Sequence, residues 1–97
     1  MMLKKEEQQA LIADFKKAVS GLYGDRLAKV ILFGSYARGD FHEDSDIDFL
    51  VLLKDEKVKR FSEIINMGKV VHPLILKHDI EISFHPMSLQ YYNSENN

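Results

Sequence analysis

The sequence has no cysteine, which excludes disulfides, thiolate metal sites and thiol catalysis and fits a reducing compartment. It has no long apolar run either. Its longest stretches, Val30 to Phe33 and Phe49 to Leu53, are four and five residues, far short of the roughly 18 that a membrane-spanning helix needs. The N-terminal MMLKKEEQQ lacks the apolar core of a secretion signal, so a cytoplasmic protein that neither spans nor crosses a membrane is expected. No charge of one sign dominates: 13 Lys and Arg stand against 15 Asp and Glu, a net charge of −2. A global positive field that would hold nucleic acid is therefore missing, and any phosphate site must be local. Internal repeats and low-complexity linkers are absent as well.

What remains is 97 residues, 45% hydrophobic and 29% charged, one compact domain's worth of chain. A chain of this size buries roughly two-thirds of the surface its unfolded form exposes, enough for one core. A single domain is expected over residues 1–92, with 93–97 a frayed tail because they lack period and apolar mass.

Leu11, Ile12, Phe15, Val19 and Leu22 recur at spacings of three and four and predict an amphipathic first helix, with Gly21 and Gly24 bracketing its end. Val30 to Phe33, stopped by Gly34, has the pattern of a strand buried on both faces. The run from Asp46 to Leu53 begins acidic and becomes wholly apolar, predicting a central strand with charges at one end. From Glu56 to Lys77 an approximate helical period is interrupted by Gly68 and Pro73, predicting one kinked helix or two short ones. A third strand is expected from Asp79 to His85, ended by Pro86, with Ile80, Ile82 and Phe84 facing the core and Asp79, Glu81, Ser83 and His85 on the opposite face.

The chemistry lies between the first two strands. Gly34 has no side chain to block close approach, and Ser35 can offer its hydroxyl and backbone N–H to an anion at the start of a short helical turn. Arg38, one turn on, is read as a second phosphate contact, with a solvated helix residue as the alternative. Asp46 and Asp48 alternate with Ile47, so both emerge on one strand face about 7 Å apart. Two carboxylates aimed at one place repel, and a divalent cation relieves them. Oxygen-only ligands favour Mg²⁺ or Mn²⁺ over zinc, and two such ions suit in-line displacement at phosphorus. A third carboxylate is then wanted; Glu81 is the first candidate and Asp79 the second. His42, Glu43 and Asp44 are read as loop surface, and His72, His78 and His85 as surface or strand-end residues without metal-like spacing. Lys54, Lys57, Lys59 and Arg60 form a basic cluster, a solvated helix start or a surface for an acidic or RNA-bearing partner. Tyr91 and Tyr92 are read as packing residues, with a hydroxyl that could also accept a nucleotide in automodification.

Gly34-Ser35-Tyr36-Ala37-Arg38-Gly39, followed by Asp46-Ile47-Asp48, resembles the signature of the minimal nucleotidyltransferases of the DNA polymerase beta-like superfamily. The likeness is close from Val30 to Leu53 and extends loosely through Glu81 to most of the chain. It implies an α/β fold, a small mixed β-sheet flanked by α-helices. It also implies Mg²⁺-dependent transfer of a nucleoside monophosphate, AMP from ATP, to an acceptor hydroxyl. In such a site Gly34 and Ser35 would contact the β and γ phosphates and Asp46 and Asp48 the metals. Glu81 would be a metal ligand that helps to deprotonate the acceptor, where family members often have Asp. Similar chains often act as antitoxins by modifying a small helical HEPN ribonuclease, which makes a HEPN-type protein the expected partner. Sixteen residues follow Glu81, so the acceptor surface is expected from a second protein, a second copy of this chain or a shallow patch. The rivals are a non-catalytic module that neutralises a toxin by binding, and a nucleotide sensor with a relic site.

Overall fold

The computed structural model describes residues 3–40 and 46–95. The first helix, α1 (Lys5–Tyr23), begins where the Lys4 backbone N–H donates to the Glu7 carboxylate at 2.9 Å, one arm of a capping box. It ends at Gly24, whose φ of 55° is open to glycine at little cost. Leu11, Phe15, Val19 and Tyr23 are its buried positions. Leu22, expected in that stripe, is exposed, because a run of i+4 steps from Val19 brings Tyr23 inward instead.

Strands β1 (Leu27–Phe33), β2 (Ile47–Leu53) and β3 (Ile82–Ser88) form one sheet in that order. β1 and β2 are antiparallel, β2 and β3 parallel, so the sheet is mixed. The parallel step requires a crossover, which α3 (Arg60–His78) supplies as a single helix with Gly68 and Pro73 inside it. The expectation that β1 is buried on both faces is corrected: it is an edge strand with every residue half-buried or exposed. β3 is also displaced from its expected span. Asp79 takes a left-handed conformation that closes α3, so pairing starts at Ile82 and runs through Pro86. An edge strand tolerates the missing N–H of proline.

Side-chain alternation gives the sheet two different faces. Ile47, Phe49, Val51, Leu53 and Ile82 pack with Leu11, Phe15 and Val19 of α1 and Met67 and Val71 of α3 in one core cluster. Phe15 and Phe49 stack at 3.9 Å within it. On the other face Leu52 is fully buried, near the end where α4 (Leu89–Glu95) touches β2 and β3. The acidic end of β2 lies on the same face, where Asp46 is exposed and Asp48 half-buried. α4 covers Asn93 to Glu95 of the segment expected to fray; Asn96 and Asn97 lie outside the described residues. No helix among the described residues is long and apolar enough to cross a membrane.

Two polar ties hold α1 to α3. Asp14 accepts from Lys77 at 2.9 Å and pairs with His78 at 2.8 Å, so His78 is a half-buried helix residue rather than a strand-end one. In the second tie Arg26 grips Asp55 with two nitrogens, at 3.1 and 2.9 Å, and donates to Glu63 at 2.6 Å, while the Tyr23 hydroxyl donates to Glu63 at 3.1 Å. Burial pushes the Glu63 carboxyl up, but the hydrogen bonds from Arg26 and Tyr23 outweigh it and hold the group below its ordinary range. Burial and the Glu63 carboxylate push the Tyr23 phenol well above its usual 10. The depressed carboxylate stabilises the fold above its unfolded pKa and loses that contribution as pH falls through its folded value; the raised phenol contributes below about 10 and loses it as pH rises further. Stability is thus expected to decline on both flanks. Arg26→Ala leaves a buried carboxylate without its cation and is expected to cost about 2 kcal/mol, lowering the thermal midpoint by about 8 to 16 °C; a midpoint within about 2 °C of wild type would contradict the role given to this tie.

Candidate active site at the entry to β2

In the antiparallel pair Phe33 sits opposite Asp48, so the chain turns off β1 beside that aspartate. The turn is Gly34, at φ 75°. A Cβ placed there would overlap the Asp48 carboxylate oxygen Oδ2 and stand 3.2 Å from its Cγ. Only a residue without a side chain allows this approach, and φ in the left-handed region selects glycine independently. The anion-compatible turn at Gly34 and the aspartates twelve and fourteen residues further on are thereby brought together.

Gly34 opens the short helix α2 (Gly34–Arg38), closed by Gly39 at φ 82°. The Ser35 carbonyl accepts the N–H groups of Gly39 at 2.9 Å and Asp40 at 3.1 Å, and Tyr36, buried, anchors the helix in the core. Ser35 therefore stands on a fixed turn next to Gly34. Arg38 lies at the surface one turn on, its Nε donating to Asp40 at 3.2 Å.

Asp46 directly precedes β2, and the Ile47 N–H donates to the Glu81 carbonyl at 3.1 Å. Ile47 pairs with Ile82 and Asp48 with Ser83, so alternation puts Asp46, Asp48, Glu81 and Ser83 on one face of the sheet. Asp79, the second candidate for the third carboxylate, is not on that strand: it is the left-handed cap of α3, which removes the face it was expected to share with Glu81. Among the described residues no three His, Cys, Asp or Glu side chains are gathered into a metal-binding shell, so Glu81 shares a face with the aspartates without closing a triad. His42, Glu43 and Asp44 lie outside the described residues.

The donor set fits a hard cation all the same. Mg²⁺ is commonly held by one or two carboxylates and completed by substrate phosphates and water. Asp46 and Asp48 supply the carboxylates, and Gly34 lets the chain turn directly against the Asp48 carboxylate.

Two further residues on this face, Phe33 and His85, are given no part in the site by the sequence reading, which places His85 on the face but not its neighbour. The rings of Phe33 and His85 meet at 5.7 Å, tilted by 56°. They reach across β2 between the positions of Asp48 and Leu50, since Phe33 pairs with Asp48 and His85 with Leu50. Phe33 is 38% exposed. The signal for His85 was its alternation with Ser83; the signal for Phe33 needed the strand register.

Residues 12–90 match the family model described as nucleotidyltransferase domain. A protein of Methanocaldococcus jannaschii named "Putative protein adenylyltransferase MJ0141" is 47% identical over 83 residues, covering 76% of this chain and 84% of that protein. "Protein adenylyltransferase MntA" of Thermococcus cleftensis is 42% identical over 50 residues, 52% of this chain and 48% of that protein, so the likeness spans about half of it. Among solved structures, one titled as a putative nucleotidyltransferase from Sulfolobus solfataricus superposes with a TM-score of 0.55 at 23% identity, covering 97% of this chain and 84% of its own. That likeness establishes the fold, the small mixed sheet with helices of the polymerase beta-like type. A sheet that carries paired aspartates beside a glycine turn thus has its family in the matched model and in a relative covered over most of its length: the chain belongs to the nucleotidyltransferase domain family and is a nucleotidyltransferase.

Proposed function

We propose that this domain transfers AMP from ATP to a hydroxyl of a partner protein, with Mg²⁺ held by Asp46 and Asp48, and that the partner is a small helical protein of the HEPN type for which this chain is the antitoxin. The observation that carries the reading is the contact between Gly34 and the Asp48 carboxylate. It sets a turn suited to a triphosphate against a carboxylate pair suited to a divalent cation. The names of the relatives, protein adenylyltransferases, support protein as the acceptor and adenylate as the group moved.

In this reading Gly34 and Ser35 receive the β and γ phosphates, and Arg38 swings from Asp40 to the outer phosphate oxygens. Mg²⁺, or Mn²⁺ in its place, would neutralise the charge that builds up on the phosphate oxygens. The acceptor oxygen bonds to the α phosphorus, the bond from that phosphorus to the β-phosphate oxygen breaks, and pyrophosphate leaves. The hydroxyl proton passes to a carboxylate on the same face, Glu81 being the third one there. Asp46 and Asp48 otherwise orient the α phosphate in line with the acceptor.

A thermal-melt titration with each nucleoside triphosphate, with and without Mg²⁺, tests the site. ATP at about 100 times its dissociation constant adds about 2.7 kcal/mol, so the midpoint is expected to rise by about 10 °C or more, only with Mg²⁺ present, and not in Asp46→Asn/Asp48→Asn. A wild-type midpoint unmoved by every triphosphate would overturn the proposal.

A further inference from the structure

Phe33 and His85 lie on the sheet face of Asp48 without a part in holding phosphate or metal. Register fixes their place: Phe33 pairs with Asp48 and His85 with Leu50, so both side chains project from the face opposite the core of Phe15, Phe49 and Val51. The Phe33 ring is more than a third exposed there. His85 steadies it, since the two rings meet in a tilted contact, a geometry that aromatic pairs prefer. A tilted neighbour holds the ring and leaves part of its π surface open to solvent.

Position and chemistry together point to what covers that ring. Asp48 and Leu50 are two residues apart on β2, about 7 Å at roughly 3.4 Å per residue, so the pair of rings lies one same-face step from the carboxylate proposed to hold Mg²⁺. A nucleoside triphosphate whose α phosphate sits at Asp46 and Asp48 has its base one ribose away, a comparable span. The row across the sheet at this step is Ile31, Leu50 and His85, with no Lys, Arg, Asp or Glu in it. Phosphate finds no cation on such a row. A base finds a π face to stack on and, in His85, ring nitrogens that can hydrogen-bond its edge. The base is tethered to the α phosphate by its ribose, so it must lie within this radius of Asp48; an acceptor side chain carries no such constraint.

We infer that the Phe33 ring, steadied by His85, stacks on the base of the bound nucleotide and so positions the nucleoside beside Asp48. The inference rests on the nucleotide site proposed above and adds to it a determinant of base binding.

The test measures binding of ATP and of inorganic tripolyphosphate, each with Mg²⁺, by isothermal titration calorimetry. Wild type is compared with Phe33→Ala, with Phe33→Leu, which keeps apolar bulk on the strand without the ring, and with Phe33→Tyr, which keeps the ring; circular dichroism checks each fold. Phe33→Ala is expected to weaken ATP about fivefold or more, the loss of one stack between a base and an aromatic side chain, while tripolyphosphate, which has no base, stays within about twofold of wild type. Phe33→Leu is expected to follow Phe33→Ala, and Phe33→Tyr to keep most of the affinity for ATP. Three results would overturn the inference and leave the phosphate and metal site standing. One is an equal loss of both ligands in Phe33→Ala and Phe33→Leu, which would make Phe33 a support for the turn. Another is a Phe33→Tyr variant as weak for ATP as Phe33→Leu. The third is ATP affinity unchanged in Phe33→Ala, in which case a loss of transfer would assign the ring to an acceptor side chain. Failure of wild type to bind either ligand would overturn the nucleotide reading and this inference with it.

Discussion

Asp48→Asn and Asp46→Asn are each expected to leave a folded domain that has lost nucleotide transfer by a factor of about 10² to 10³, the loss that follows removal of one charge-stabilising contact at a reacting centre. The fold does not depend on these carboxylates. Asp46 is exposed, Asp48 is half-buried, and neither contributes to the core cluster, so the melting midpoint without nucleotide should stay within a few degrees of wild type. Asparagine keeps the shape but removes the charge that holds a hard cation. Transfer at a rate near wild type in either variant would contradict the assignment. Asp48→Asn also separates the enzyme from a module that neutralises by binding alone: a neutralisation that survives the substitution would support the binding module instead.

The second large effect is expected at Gly34, and Gly39 supplies its control. Both glycines have positive φ, 75° and 82°, so alanine at either costs about 1 to 3 kcal/mol of backbone strain. They differ in what a new Cβ meets: the Asp48 carboxylate at Gly34, and nothing within 4 Å at Gly39. Gly34→Ala is therefore expected to lose stability and nearly all transfer, because the methyl displaces the Asp48 carboxylate. Gly39→Ala is expected to lose a similar amount of stability while retaining most of its transfer rate. Melting curves measure the shared strain and initial rates measure the difference. Equal activity in the two variants would mean that the contact between Gly34 and Asp48 has no part in the reaction.

Much of the site was legible because its signals are local. Alternation alone put Asp46 and Asp48 on one face, and glycine followed by serine after an apolar strand marked a turn open to an anion. The contact between the two halves was not legible, since it depends on the register that pairs Phe33 with Asp48, and no local pattern sets that register. The same limit explains β1. Val30 to Phe33 has the composition of a buried strand, but its position at the sheet edge follows from the order of the strands. The third strand was misplaced because Asp79 reads equally well as the first polar residue of an alternating run and as the left-handed residue that ends α3. Asp79 thereby left the candidate site, and Glu81 stayed beside Asp46 through the hydrogen bond from Ile47. At Pro86 the rule that proline ends a strand gave way to the tolerance of an edge strand. The helix over Leu89–Glu95 was hidden because its sequence is polar and has no apolar period.

The central claim is that the entry to β2 moves a nucleoside monophosphate rather than a phosphoryl group. It is tested most directly by incubating the protein and Mg²⁺ with ATP labelled either at the α or at the γ phosphate, in an extract of the source organism as the supply of acceptor protein. The account predicts that α label becomes covalently attached to a protein band while γ label leaves as pyrophosphate, and that Asp46→Asn/Asp48→Asn abolishes the attachment. Attachment of γ label, or attachment of α label undiminished in the double variant, would contradict it.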